Sequence, residues 1–255
     1  AAKWTTKKST APKKKTKPIQ PASRSNPYCA LTQTPLEGFF YTLSMMHFYE
    51  PRLGHGLRHD PFNAIVGPRP IGWVSSRSAS GVLNLAPYSF FSAFNYVPPV
   101  IGFSSIGRKD SLNNIEATGE FVWNLVTRDL AEVMNKTCEA VPPEVSEFDL
   151  AGLTPEASRV VSVPRVAQSP VSFECRCTQI LQLQDLQGQK IETWMVLGQV
   201  VGVHIDQRLL KAGVYDTANA GHILRGGGAG DYFSIGPEQL FKMVRPESGA
   251  RDLPK

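Results

Sequence analysis

The stretch Pro68-Arg-Pro-Ile-Gly-Trp-Val-Ser-Ser76 is followed by Asn84-Leu-Ala-Pro-Tyr-Ser-Phe-Phe91, Arg108-Lys-Asp-Ser-Leu-Asn-Asn-Ile115 and Gly119-Glu-Phe-Val-Trp-Asn-Leu125. In that order the four segments predict a buried strand that ends in hydroxyl groups, a lining of small and aromatic residues, a cationic helix start and a second apolar strand. Together they offer hydroxyls, backbone amides, a flat apolar surface and positive charge. This combination suits a flat aromatic ligand that carries a phosphate.

Outward from this stretch the sequence predicts mainly β structure with a few short helices. Plentiful turn residues, 21 Gly and 20 Pro, favour a β protein over a helical bundle. We expect helices at Ser111–Thr118, capped by Asp110 or Ser111 and ended by Gly119, and at Asp129–Thr137. The expected strands are Ile65–Ser75, Val100–Ser105, Phe121–Val126 and a long hairpin of Ser172–Leu183 with Ile191–Ile205.

The 255 residues are expected to form one folded domain with two tails. Residues 46–246 carry the apolar patterns, whereas residues 1–45 are rich in Lys, Pro, Ser and Thr and 247–255 are polar. A segment like 1–45 buries too little apolar surface to fold, so we expect disorder there. A native arm, a targeting segment and an upstream extension before Met45-Met46 all stay open as its origin.

The net charge of +5 does not make the body of the chain a nucleic-acid binder. Eight Lys and Arg residues lie within positions 1–24, where no acid occurs, and subtracting them leaves about −3 for the remainder. We therefore expect no nucleic-acid partner. No apolar run reaches the length of about 18 residues that a membrane span needs, so no membrane association is expected either.

Neither the four cysteines nor the histidine cluster predicts a disulfide or a metal site. The spacing of Cys29, Cys138, Cys175 and Cys177 fits no zinc pattern, and the last two would share one strand face, where they cannot pair with each other. We expect reduced thiols in a cytoplasmic protein. His47, His55 and His59 lack a completing ligand set, so no metal is expected.

The helix start at Arg108 is the clearest candidate for binding an anion. Arg108, Lys109 and Ser111 would meet there with the first free backbone N–H groups, and charge, dipole and amides all favour a phosphate. A solvated charged turn is the alternative interpretation of the same residues. Ser75 and Ser76, at a strand end, offer hydroxyls to the same phosphate or to a ribityl chain.

The segment after the first hairpin turn suits the polar edge of an isoalloxazine. It offers backbone amides, small side chains and one aromatic ring, from Asn84, Ala86, Pro87, Tyr88 and Ser89. A core strand and turn would have the same composition. No nucleophile elbow or metal helix occurs, and Gly226–Gly230 fits neither a phosphate loop nor a dinucleotide turn, so we predict a flexible loop there and assign no catalytic residue.

These four motifs, in this order and within about sixty residues, resemble the flavin reductase-like family. The resemblance extends more weakly from about His47 to Pro246. It implies an FMN-binding split β-barrel, usually a homodimer, that transfers hydride from NADH or NADPH to flavin. The reduced flavin or its electrons would then pass to a monooxygenase or another acceptor protein.

The resemblance also implies roles for individual residues. The residues expected to hold flavin and its ribityl chain are Ser75, Ser76, Asn84, Ala86, Pro87, Tyr88 and Ser89. Arg108, Lys109 and Ser111 would hold the phosphate, with Ser111 in place of a common threonine. Beyond Val160 the alignment weakens, so His222, Arg225 and Tyr232 are rim candidates only.

Two other functions stay open on the sequence. One is a flavoredoxin-type electron-transfer protein that holds FMN permanently and reacts slowly with nicotinamide nucleotides. The other, less favoured, is a relative of the phosphorylated-pyridoxal oxidases on a similar barrel. Because hydride transfer to flavin needs no acid or base, the missing catalytic dyad is compatible with the first hypothesis. The choice between NADH and NADPH is not determined.

Overall fold

The computed structural model describes residues 46–244 and 246, and these are mainly β structure, as predicted. The predicted tails at 1–45 and 247–255 lie outside the described residues, and the domain boundaries stay predictions. The strands are β1 Arg69–Pro70, β2 Gly72–Arg77, β3 Leu83–Tyr88, β4 Phe91–Asn95, β5 Val100–Ile106, β6 Glu120–Asn124, β7 Pro155–Glu156, β8 Arg165–Val166, β9 Val171–Gln184, β10 Lys190–Ile205, β11 Leu210–Lys211, β12 Val214–Tyr215, β13 Ile223–Arg225 and β14 Tyr232–Ser234.

Four short α-helices accompany these strands in the described part of the chain. They are α1 Phe62–Ile65, α2 Asp110–Thr118, α3 Ala131–Lys136 and α4 Glu147–Ala151. Short 3₁₀ segments occur at Pro51–Leu53, Arg128–Leu130, Gln207–Leu209, Thr217–Asn219 and Pro237–Gln239. The predicted helix at Asp129–Thr137 therefore consists of a 3₁₀ turn that runs into α3.

A seven-stranded antiparallel sheet in the order β3-β2-β6-β9-β10-β5-β4 forms the body of the fold. Its two edge strands, β3 and β4, are consecutive in the chain, with only Ser89 and Phe90 between them. Three Cα steps of about 3.8 Å span at most about 11 Å, so the two edges must approach each other at this end. The sheet is therefore curled rather than flat, and Tyr88 of β3 contacts Phe103 of β5 with ring centroids 4.4 Å apart.

Two apolar clusters lie on the opposite faces of the curled sheet. The inner cluster surrounds Phe103, Phe121 and Trp123. It includes Leu112 and Ile115 of α2, so this helix packs against the inner face of the curled sheet. The outer cluster packs α3 and α4 against β2 and β3 around Trp73 and Leu85. A small sheet, β1-β13-β14, brings the C-terminal strands beside the same region.

The long hairpin and the helix stop are both confirmed. β9 pairs with β10 over most of their length, and Gly119 ends α2 in the left-handed conformation at φ 72°. The predicted N-cap is wrong, because Lys109 occupies that position and α2 begins at Asp110. The first predicted strand is also shorter than expected, since α1 takes Ile65 and β2 begins only at Gly72.

Candidate functional site

A buried network of hydroxyl and amide groups joins the start of α2 to the β2–β3 hairpin. The side-chain amide of Asn84 lies 2.8 Å from Ser111 Oγ and 3.2 Å from Ser76 Oγ, and Asn114 Nδ2 donates to Ser76 Oγ over 3.2 Å. Asn84 satisfies its neighbours best with its carbonyl oxygen toward the two hydroxyls and its amide nitrogen toward Glu147. Because these four residues are all buried, their hydrogen bonds fix the position of the helix start.

The two neighbouring serines of β2 point to opposite faces of the sheet, as strand alternation requires. Ser76 belongs to the inner network, whereas Ser75 is fully buried on the outer face and donates to the carbonyl oxygen of Pro164 over 2.7 Å. Ser75 therefore has a structural partner away from the helix start. A ligand-binding role for either serine stays a prediction.

The helix start presents two basic side chains outside the buried network. Lys109 is exposed, and no side chain among the described residues caps α2 at this position. Arg108 forms an ion pair with Glu116 and places its guanidinium carbon 5.5 Å from the centroid of the Trp194 ring. This tip is therefore accessible to an anion. The N-terminal amides, the helix dipole and Lys109 would attract one.

β3 is an edge strand of the large sheet, and its outward backbone groups are partly occupied. Leu85 N donates over 2.9 Å to the carboxylate of Glu147, which is itself buried. Burial raises the pKa of Glu147, against the lowering effect of that hydrogen bond. The next outward position is Pro87, which has no N–H, so its carbonyl oxygen is the group that the edge presents there.

A cavity with a volume of about 770 Å³ lies beside this edge. One wall is Pro87–Ser89. A second wall is formed by Arg128, Glu132, Asn135 and Cys138, which recur at helical spacing along α3 and the turn before it. The β13–β14 hairpin forms the third wall with Arg225, Tyr232 and Ser234. We call this cavity the cleft.

β3 links the cleft to the start of α2. Its Asn84 is hydrogen-bonded to Ser111 in the first turn of α2, and its Pro87 and Tyr88 line the cleft. Burial raises the pKa of the Cys138 thiol on the α3 wall, while the positive charges of Arg225 and Lys109 lower it. The cleft and the helix start are therefore joined through one strand.

Arg225 lines the cleft and also binds the glycine-rich loop, and its role in cofactor binding stays a prediction. Its Nη atoms donate to the carbonyl oxygens of Asp231 at 2.7 Å, Gly228 at 3.1 Å, Ala229 at 3.3 Å and Gly227 at 3.4 Å. Tyr232 covers its other side, with 4.9 Å from the guanidinium carbon to the ring centroid. The loop predicted to be flexible thus wraps around a cation.

Arg69, the arginine between the two prolines, plays a similar role behind the cleft. Its side chain donates to the carbonyl oxygens of Asn63, Val66, Ser89 and Gly226, and only 9% of the residue is exposed. It therefore ties α1, the β3–β4 link and the glycine-rich loop together. Nothing in the sequence pattern marked this residue as the junction.

Tyr88 and His222 have contrasting environments. The Tyr88 hydroxyl is buried without a hydrogen-bond partner of good geometry among the described residues, and burial raises its pKa more than the nearby Ser111 and Ser105 hydroxyls lower it.

His222 Nε2 lies 3.0 Å from the hydroxyl of Tyr215, and burial lowers the pKa of this histidine. His222 does not line the cleft, so its role as a rim residue stays a prediction.

Sequence reasoning missed the α3 wall of the cleft. The sequence predicted a helix at Asp129–Thr137, but the polar residues at positions 128, 132 and 135 were not assigned to a cavity wall. Their helical spacing was the available signal. Within residues 46–244 and 246, the structure also contains no cluster of metal-ligating side chains and no helix long and apolar enough to cross a bilayer.

Comparisons with known proteins agree with this geometry. The sequence model of the family described as "Flavin reductase like domain" matches residues 67–223. A protein of Halalkalibacterium halodurans, itself uncharacterised, is 33% identical over 198 residues, which cover 74% of this chain and 92% of that protein.

Solved structures give the fold. Nitrilotriacetate monooxygenase component B from Bacillus cereus is 30% identical, with a TM-score of 0.69 over 78% of this chain and 98% of that one. A protein with a split barrel domain from Shewanella frigidimarina, 22% identical, superposes with a TM-score of 0.68 over 79% of this chain and 100% of its own. The predicted split barrel is therefore confirmed.

Proposed function

This chain belongs to the flavin reductase-like domain family, and on that basis we propose that it is an FMN-binding oxidoreductase that transfers hydride from NADH or NADPH to flavin. The observation that supports this most directly is that one strand, β3, both lines the cleft and contacts the start of α2. A ligand with a flat apolar ring and a phosphate needs both surfaces within one molecular length.

The residues present fit FMN. The cleft, at about 770 Å³, lies within the range of about 300–1,000 Å³ that is usual for cofactor sites. Pro87, Tyr88 and Ser89 would contact the ring system, with the Pro87 carbonyl oxygen as an acceptor on the strand edge. Lys109 and the first N–H groups of α2 would hold the phosphate, assisted by the charge of Arg108.

Bound FMN would supply the redox chemistry by accepting a hydride, and the protein would supply position and electrostatics. In this role Asn84 and Ser111 hold the helix tip in place through their buried hydrogen bond. Arg225 keeps the opposite wall in shape by occupying the carbonyl oxygens of the glycine-rich loop. No proton transfer is required of either residue.

The activity is tested by stopped-flow mixing of FMN-saturated protein with NADH and with NADPH. Reduction of the flavin at a catalytically useful rate by one of them supports the reductase. Reduction far slower than any plausible turnover contradicts it and favours the flavoredoxin-type alternative. A protein that neither purifies with flavin nor quenches FMN fluorescence contradicts both.

Lys109→Glu is expected to weaken FMN binding about 10- to 100-fold, because it removes a charge-assisted contact with the phosphate and adds repulsion. Riboflavin, which lacks the phosphate, should bind the variant as well as it binds the wild type. Fluorescence titration with both flavins measures the difference. Lys190→Glu, the same change on an exposed lysine of β10, is the control, and equal loss for FMN and riboflavin would contradict the assignment.

We propose further that the chain is a homodimer whose interface includes the open edge at β4. Phe94 is 52% exposed, and Tyr96 and Val97 in the following turn are 73% and 60% exposed. A large apolar group at an unpaired strand edge favours association with a partner. Sedimentation velocity should give twice the chain mass for the wild type. The Tyr96→Glu variant should shift toward the mass of a single chain. A wild type that sediments as a monomer contradicts the dimer.

The partner and compartment remain proposals as well. The 30% identical Bacillus cereus protein is a component of a monooxygenase. By analogy, a separate monooxygenase is the acceptor class that we propose for the reduced flavin made here. The cytoplasm is the compartment that the predicted reduced thiols favour.

A further inference from the structure

A second cavity of about 390 Å³ lies away from the cleft and shares no lining residue with it. Its walls come from the segment after β7, from β8 and the segment between β8 and β9, and from the end of β10. The polar residues that line it are Arg159, Arg165, Ser169, His204 and Asp206. We call it the β8 pocket.

The two arginines of the β8 pocket have unused hydrogen-bond donors. Arg159 is exposed, and its guanidinium has no partner within residues 46–244, since only its backbone N–H bonds to Glu174. Arg165 forms an ion pair with Glu156 through Nη2, but its Nε is buried without any hydrogen-bond partner in the described structure. A ligand cannot reach an atom that has no accessible surface, so the accessible donors are those of the exposed Arg159 guanidinium, with Arg165 adding positive charge beside them.

His204 is held in a fixed position beside them. Its Nε2 lies 2.5 Å from Oε1 of Glu174, whose carboxylate is fully buried and also accepts from the backbone N–H groups of Arg159, Val160 and Val161. The other ring nitrogen of His204 has no partner in the described part of the chain. In the neutral ring, whose proton faces Glu174, this nitrogen is a hydrogen-bond acceptor, and it donates to a ligand only when the ring is an imidazolium.

The one acidic side chain that lines the β8 pocket is already neutralised. Asp206 accepts from the backbone N–H of Arg208 at 2.9 Å and from its Nε at 3.0 Å, and pairs with its Nη2. Both carboxylate oxygens are therefore engaged with a cation. The unused capacity of the pocket is that of hydrogen-bond donors.

We propose that the β8 pocket is a second ligand site, which binds a small molecule carrying a phosphate group. Guanidinium groups match the geometry of phosphate oxygens, and two of them line this pocket. The volume exceeds the lower bound of about 300 Å³ for small-molecule sites, so there is room for more than the phosphate itself. This site does not depend on FMN binding in the cleft.

The test is an isothermal calorimetric titration of the full chain with inorganic phosphate. Saturating FMN is present so that the α2 tip is already occupied. Saturable binding of one phosphate per chain is expected. Arg159→Ala should weaken it about tenfold, because the side chain has no structural partner to lose and its contact with phosphate is charge-assisted. Arg58→Ala, an exposed arginine that lines neither cavity, should bind as the wild type does.

The other outcomes overturn the proposal in distinguishable ways. Absence of saturable binding removes the site, and equal weakening in Arg58→Ala shows only a general charge effect. Weakening in Lys109→Glu but not in Arg159→Ala places the phosphate at the α2 tip. Citrate binding with no phosphate binding shows that the ligand class is wrong. If FMN itself fails to bind, the titration without FMN still tests the β8 pocket by comparing the Arg159 and Lys109 variants.

Discussion

Replacing Glu174 by alanine is expected to lower the free energy of unfolding by about 3–5 kcal/mol, the range found when one partner of a buried charged network is removed. The carboxylate is fully buried in β9 and accepts three backbone N–H groups as well as His204 Nε2. Its loss leaves those donors without an acceptor in a site that water does not reach. Urea unfolding at pH 7 measures the change.

His204→Ala should cost less than Glu174→Ala, because the three amides still hold the carboxylate. Glu144→Ala, an exposed glutamate, is the control and should change stability by less than about 0.5 kcal/mol. A loss of under 1 kcal/mol in Glu174→Ala would contradict the assignment of Glu174 as an anchor of the segment at 159–161.

The same carboxylate predicts the direction of the pH dependence. Burial acts to raise the pKa of Glu174, but the backbone amides and His204 prevail and lower it to about 2 from an ordinary value of 4.5. A carboxylate whose pKa is lower in the folded state than in the unfolded state stabilises the fold fully at a pH above the unfolded-state pKa. It loses that contribution as the pH falls toward the folded-state pKa. The wild type should therefore lose stability between about pH 5 and pH 2 more steeply than Glu174→Gln, which has no carboxylate to protonate.

Arg69→Met is expected to cost about 3 kcal/mol or more and to weaken FMN binding in addition. Four carbonyl oxygens that now accept from the buried guanidinium would lose their donors, and a methionine of similar length replaces the volume but none of the bonds. Since two of these carbonyls belong to Ser89 and Gly226, the change loosens two walls of the cleft at once.

Urea unfolding and FMN fluorescence titration measure the two effects of Arg69→Met. Arg69→Lys should recover part of the stability, because one ammonium reaches fewer of the four acceptors. Arg58→Met, at an exposed position, should leave both quantities unchanged. Full stability together with wild-type FMN affinity in Arg69→Met would contradict the role of Arg69 as the junction.

The parts of the fold that depend on local pattern could be predicted from the sequence. Alternation over Ser172–Leu183 indicated β9, and helical spacing with a terminal glycine indicated α2. The buried charges could not be predicted, because Arg69 and Glu174 bind main-chain groups of other segments, and carbonyls and amides leave no sequence signal. The cap of α2 was predicted wrongly because Asp110 and Ser111 have favourable capping chemistry, whereas in the fold Ser111 turns inward to Asn84.

The candidate site shows the same division. The polar and small residues at Asn84–Ser89 could be recognised from the sequence as a candidate site, but their division between a buried network and an open wall depends on how the sheet curls. Alternation alone should have separated Ser75 from Ser76. The α3 wall needed knowledge of which elements meet, and helix packing across a barrel is a tertiary property.

The two-residue link Ser89–Phe90 joins the two edge strands of the curled sheet, and its Ser89 lines the cleft. The link that holds these edges near each other and the wall that would contact a ligand are thus the same piece of chain. Occupancy of the cleft and the approach of the two edges should therefore be thermodynamically coupled, so that a bound ligand slows opening of the amides along β3 and β4 while those of the distant β9–β10 hairpin exchange as before.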